Sequence, residues 1–188
     1  RYVPPTEIRI IREADHAPHI VGHAAVFNQL SEDLGGFREQ IAPGAFTEAL
    51  EKDDVRALFN HNSDHVLGRN RAGTLKLAED TRGLAVDINP PDTSIAADLL
   101  ALLERGDVTQ MSFGFTIRPN GEDWAKDDNG IWIRTIKRVR LFDVSPVTYP
   151  AYPQTDVAVR SLDVIRKVAA PNEEWRVQLR LKELALLG

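Results

Sequence analysis

Cysteine is absent from this 188-residue chain, which excludes disulfides, thiolate nucleophiles and zinc–thiolate sites. The chain therefore suits a reducing compartment without being restricted to one. Long apolar runs are lacking too: none approaches the ~20 residues of a membrane span, so no membrane partner is expected. Positive charge is not in surplus, with 23 Lys and Arg against 28 Asp and Glu and a formal net charge of −5. Phosphate binding draws on such a surplus, so specific nucleic acid is not an expected partner. One basic run, "RTIKRVR" (Arg134 to Arg140), alternates like a strand and reads as a solvated sheet face. There is no internal repeat. The chain opens on Arg1 rather than Met, so a signal peptide is neither visible nor excluded.

What is present is an ordinary globular composition, 43% hydrophobic and 27% charged, on a length that suits one domain with a real core. "EIRIIRE" (Glu7 to Glu13) and "HIVGHAAVF" (His19 to Phe27) alternate and are β-branched, so both predict strands. A short strand ends at Pro43, and "GAFTEALEK" after it has helical composition. Asp54 to His61 predicts a strand, with Val55, Ala57, Phe59 and His61 on one face. "NSDHVLGRNRAG" reads as an exposed loop, and "TLKLAED" with "GLAVDI" as a hairpin. "IAADLLALLER" predicts a helix capped by Thr93 or Ser94 and stopped by Gly106. Val108 to Ile117 and the long run Ile131 to Ser145 predict two further strands. Strands that follow one another without regular helix crossovers imply a mainly β domain with some α. A closed or strongly curved β-barrel flanked by helices is the expected architecture. The domain is expected over 1–165. A linker and an amphipathic helix follow over 166–188, with Trp175, Val177, Leu179, Leu181, Leu184 and Leu187 on its apolar surface. Packing on its own core, dimerisation, or a lead-in to a removed tail all fit that helix.

Five histidines are available. His16 and His19 sit at a turn and a strand start and read as surface residues; His23, inside an alternating strand, reads as structural. His61 ends a hydrophobic strand where the chain leaves the scaffold, which suits a general base. A metal site of His61, Asp64 and His65 is the weaker reading. "HNSDH" has turn composition, and no Glu follows His61 as in the helical zinc-protease motif. No metal and no cofactor are expected.

Ser112 lies in "VTQMSFGFTI", where Met111, Phe113, Phe115 and Ile117 share one face and Gln110, Ser112, Gly114 and Thr116 the other. It is not in G-x-S-x-G, so a nucleophilic role would have to be played from a strand and not from a strand–turn–helix elbow. Met111 and Phe113 would pin the backbone, and Gly114 would leave room for a substrate. Alone, the segment is better described as a plain strand with a polar outer face. Serine needs a base, and the base a third group to orient it. Asp143 lies between Phe142 and Val144, where an acid is paired or functional because unpaired burial is costly. Arg138 or Arg140 would be its structural partner, a histidine its functional one.

"GHAAVFN", "EQIAPGAFTEAL", "VRALFNHNSDHVLGR", "GTLKLAEDTRGLAVDINPPDT", "LLERGDVTQMSFGF" and "LFDVSPVTYPAYPQT" occur in that order. The ordered set, from Val21 to Val159, resembles the HK97-type prohead (capsid maturation) serine proteases of tailed bacteriophages. The resemblance implies a fold related to the herpesvirus assembly proteases and a serine endopeptidase with Ser112, His61 and Asp143 as catalytic residues. Asp143 stands where many relatives have Glu. Also implied as partners are the scaffold region of the major capsid protein, other prohead proteins, the protease itself, and a second copy in a homodimer. The place of action would be the assembling prohead in the host cytoplasm. Backbone N–H groups near Ser112 or in the Pro146–Pro153 turns are candidate oxyanion donors, as are Arg69 or Arg140 through water. The alternative is a non-catalytic capsid-assembly or scaffold-binding module of the same fold.

Overall fold

The computed structural model describes residues 8–12, 18–31 and 33–149. The predicted helix within 166–188, the boundary at 165 and His16 lie outside the described residues. In chain order the strands are β1 (Ile8–Ile11), β2 (His19–Val26), β3 (Phe37–Ile41), β4 (Arg56–Phe59), β5 (Asn62–Arg69), β6 (Leu75–Glu79), β7 (Gly83–Ile88), β8 (Gln110–Ile117), β9 (Glu122–Lys126), β10 (Trp132–Ile136) and β11 (Val139–Val147). Helix α1 (Thr47–Lys52) follows β3, and α2 (Ser94–Arg105) follows β7.

These strands form three sheets, ordered β1-β2-β7-β6, β3-β10-β9 and β5-β4-β11-β8. The molecule is mainly β as expected, but the expected closed or strongly curved barrel is not present. Closure requires a hydrogen-bonded ladder between the first and last strands of a sheet. Here, among the described residues, β1 and β6, β3 and β9, and β5 and β8 are all edges. One cause lies in the run 131–145, which is two strands and not one. Lys137 and Arg138 both donate their backbone N–H to the Gly121 carbonyl, at 2.7 and 3.0 Å. That turn sends β10 and β11 into different sheets and divides what would otherwise be a continuous wall. Gly121 permits it, because a Cβ there would lie 2.4 Å from the Arg138 carbonyl oxygen.

A single apolar cluster joins the pieces. It takes Ile20 from β2, Leu84 and Ile88 from β7, Phe46 before α1, Leu99 from α2, and Leu141 and Val144 from β11, all at most 1% exposed. Helix α2 carries its own end signals. The Thr93 hydroxyl accepts from Ala96 N–H, and Gly106 closes the helix at φ 78°. Helix α1 does not cap itself. Its first turn is satisfied from β6, where Glu79 accepts from Phe46 N–H at 2.9 Å and Thr47 Oγ1 at 3.0 Å.

Two further readings change. "NSDHVLGRNRAG" is not a loop: it is β5 followed by a 3₁₀ turn, Asn70–Ala72. Its polar composition reflects an edge strand whose first residues are exposed, while Leu67 is buried. The basic run is not wholly solvated either. Arg134 is buried, pairs with Glu39, and lies 5.1 Å from the Phe37 ring and 5.7 Å from that of Trp124. Burial pushes the Glu39 carboxyl up, against the pull of Arg134.

Strand β11 meets β4 only at Asp143 and Val144, so its upstream half has no ladder on that side. Asp53, just before β4, fills the gap. It accepts from Leu141 N–H at 2.9 Å and from Arg118 Nη2 at 2.7 Å. Replacing it strands a backbone donor and leaves the mostly buried Arg118 guanidinium with only the Val139 carbonyl and Glu48. Asp53→Ala should therefore cost about 2–4 kcal/mol of stability, read as a lower midpoint in urea unfolding; a change under about 0.5 kcal/mol, the range of ordinary surface substitutions, would contradict this account.

Candidate active site

Strict alternation along β11 would put Asp143 on the same face as Val139 and Leu141, in the core. The pairing with β8 prevents this. Leu141 opposes Phe115 and Asp143 opposes Gly114, so Phe142 is an extra residue, a β-bulge. The bulge reverses the phase of the strand. Beyond it Val144 and Pro146 are the inward residues, both fully buried, and Asp143 turns to the face of Ser112 and Gly114. Phe113, on the opposite face of β8, packs edge-on against Phe46 at 5.4 Å. The expected anchoring of the strand through its aromatic face is what is observed.

His61 is not on a strand. It is the second residue of a two-residue hairpin between β4 and β5, closed by the pair Phe59 and Asn62. Asn60 and His61 have φ of 55° and 54°, the signs of a type I′ turn. Asn adopts this region readily, whereas the second position usually goes to Gly. Holding a residue with a Cβ there costs roughly 1–2 kcal/mol. Neighbouring bonds hold the turn in place. Asn60 N–H donates to the Pro146 carbonyl at 3.0 Å, Thr148 N–H donates to Asn60 Oδ1 at 2.9 Å, and Asn60 Nδ2 reaches Thr148 Oγ1 at 3.3 Å. The hairpin tip is thereby tied to the end of β11.

From that tip His61 Nδ1 lies 2.6 Å from Asp143 Oδ1, a contact across 82 residues of sequence. An ionised carboxylate only accepts, so Nδ1 is the donor of this bond, and in the neutral imidazole Nε2 then keeps the lone pair. The same Oδ1 accepts from Ser145 Oγ at 2.7 Å. Ser145 is fully buried, and its direct cross-strand partner on β8 is Ser112, which is 8% exposed. Acid, imidazole and two hydroxyls thus meet on one face of β8 and β11. Of the three expected site residues, His61 and Asp143 are in contact, and Ser112 sits on the adjoining strand. Among the described residues His61 hydrogen-bonds Asp143 and not Ser112.

Other candidates are engaged elsewhere. Asp143 pairs with the histidine and not with Arg138 or Arg140; Arg138 binds Glu48, and Arg140 lies over Phe142 at 5.1 Å. Arg69 grips Asp54 with two bonds, Nε at 2.7 Å and Nη2 at 2.5 Å. That clamp holds the Asp54 carboxyl down to about 2. It therefore stays closed across the usual carboxylate range and opens only as pH falls through about 2. His19 is paired with Asp87 at 2.6 Å and His23 with Asp80 at 2.7 Å. The His65 ring stacks near Phe59. Two members of the site were not anticipated. "DVS" places Asp143 and Ser145 two apart on a strand, which already implies one face. "NH" after a strand is a turn signal that could have singled out Asn60.

An acid, an imidazole and a hydroxyl on adjoining segments are the residue types that a serine hydrolase uses. Comparison with known proteins narrows this. Residues 6–168 match the model of the caudovirus prohead serine proteases, and the chain belongs to that family. It is also similar to the prohead protease of Enterobacteria phage HK97, with 34% identity over 152 residues. That match covers 78% of this chain and 62% of the relative's length. No solved structure matches the chain.

The Asn60 contacts generate a prediction. Asn60→Ala removes both the side-chain tie to Thr148 and the residue type suited to positive φ, and should lower stability by about 1–2 kcal/mol. Asn60→Gly keeps the backbone freedom and should recover part of that loss. Thermal unfolding of the two variants reads the difference, and equal values for both and for the parent would refute the role given to the turn.

Proposed function

We propose that this chain is a serine endopeptidase of phage prohead maturation, with Ser112 as nucleophile, His61 as general base and Asp143 as the orienting acid. The observation that carries the reading is the His61–Asp143 hydrogen bond beside Ser112. The Ser145 hydroxyl is enclosed and bonded to Asp143, so its cross-strand partner Ser112 is the hydroxyl assigned to attack. Ser112 Oγ attacks the scissile carbonyl, and its proton passes to His61 Nε2. The imidazolium returns that proton to the leaving amine, and water then hydrolyses the acyl-enzyme. Asp143 holds the imidazole in the tautomer that can accept. The bond from Ser112 to Nε2 forms, in this reading, when substrate binds, as catalytic contacts commonly tighten then. Arg69, held by Asp54, is a poor oxyanion donor, and backbone N–H groups near Ser112 fit that part better.

The substrates in this reading are the scaffold region of the major capsid protein, other proteins inside the assembling prohead, and the protease itself. Family membership and the relative's name support the setting. Labelling by a serine-reactive aryl phosphonate tests the chemistry. It should modify Ser112 and fall by about 10³-fold or more in Ser112→Ala and His61→Ala. Absence of labelling in the parent protein would favour a non-catalytic assembly module. Mass spectrometry of the full-length chain tests self-cleavage: trimming that persists in Ser112→Ala would argue against it.

A further inference from the structure

We propose that Gly114 is a positioning residue for Asp143, its missing side chain supplying the volume that the carboxylate occupies. This rests on the reading of Asp143 as the acid that orients His61. A Cβ built on Gly114 would overlap Asp143 Oδ2, and would lie 3.2 Å from its Cγ and 3.8 Å from Oδ1. The backbone does not ask for glycine here, because Gly114 is not among the residues of positive φ. A glycine inside a strand commonly marks the close approach of another group. Here that group is the acid directly opposite on β11. The room that Gly114 was expected to leave for a substrate is already filled.

Movement of the carboxylate is opposed at its other oxygen. Oδ1 is fixed from two sides, by His61 Nδ1 at 2.6 Å and Ser145 Oγ at 2.7 Å. Asp143 is one carbon shorter than Glu and sits beside a bulge, so retreat from a Cβ at 114 breaks one or both bonds. A methyl at 114 would leave Ser112 and His61 chemically untouched. It acts on the imidazole only by displacing the acid that holds it.

A double-mutant cycle tests this. Gly114→Ala, Asp143→Ala and the double variant are compared in their rate of labelling at Ser112 by an aryl phosphonate, well below the unfolding midpoint of each. Gly114→Ala should slow labelling at least tenfold, in the maximal inactivation rate and not in the half-saturating concentration. Asp143→Ala should slow it further, and the double variant should match Asp143→Ala within twofold, since the methyl then enters vacated space. Unfolding midpoints provide the folding control: the double variant should be as stable as Asp143→Ala. Gly114→Ala labelling at the parent rate, or a further tenfold loss in the double variant, would overturn the role of Gly114 alone. Asp143→Ala labelling at the parent rate would overturn the role of Asp143, and this proposal with it.

Discussion

The hydrogen bond between His61 and Asp143 joins two parts of the third sheet that reach it by separate routes. One is a hairpin tip whose backbone is in an unfavourable region; the other is a strand whose phase has been reversed by an extra residue. Neither arrangement is stable for local reasons alone. The tip is held because Asn60 is bonded to Pro146 and Thr148, and Asp143 is held because Ser145 and the space at Gly114 receive it. Local strain at such a constellation persists only where its surroundings over-determine it, and here the surroundings are named residues of β8, β11 and the Thr148 that follows β11.

The same economy recurs around the sheets. Acidic side chains near strand ends satisfy backbone donors and cations that no ladder reaches. Asp53 serves Leu141 and Arg118, Glu79 caps α1, and Asp54 clamps Arg69. Three open sheets leave several strand edges, and a surplus of carboxylates helps to finish them. The acidic balance is thus partly structural.

Elements with strong periodicity were legible from the chain: β2, the β6–β7 hairpin, α2 with both of its caps, and β8 with its aromatic face. Misreadings arose where polar composition and burial part company. Residues 62–69 look like a loop but are an edge strand, because β4 supplies the ladder that composition cannot show. Arg134 looks solvated but is covered by Phe37 and Trp124, which come from other strands of its sheet. The barrel expectation failed because strand succession does not record which edges pair, nor the turn at Gly121 that sends β10 and β11 into different sheets.

The sequence by itself singled out Ser112, His61 and Asp143 as candidates and pointed to the family, because ordered motifs survive in one dimension. It also determined that Ser112 and Gly114 share a face, since alternation is a property of any strand. Only the tertiary structure decided that Asp143 joins them. The reason is geometric: a one-residue bulge flips every later side chain, and it exists only relative to the register of the partner strand. What looked at first like an empty place beside Ser112 is, in three dimensions, the seat of the acid.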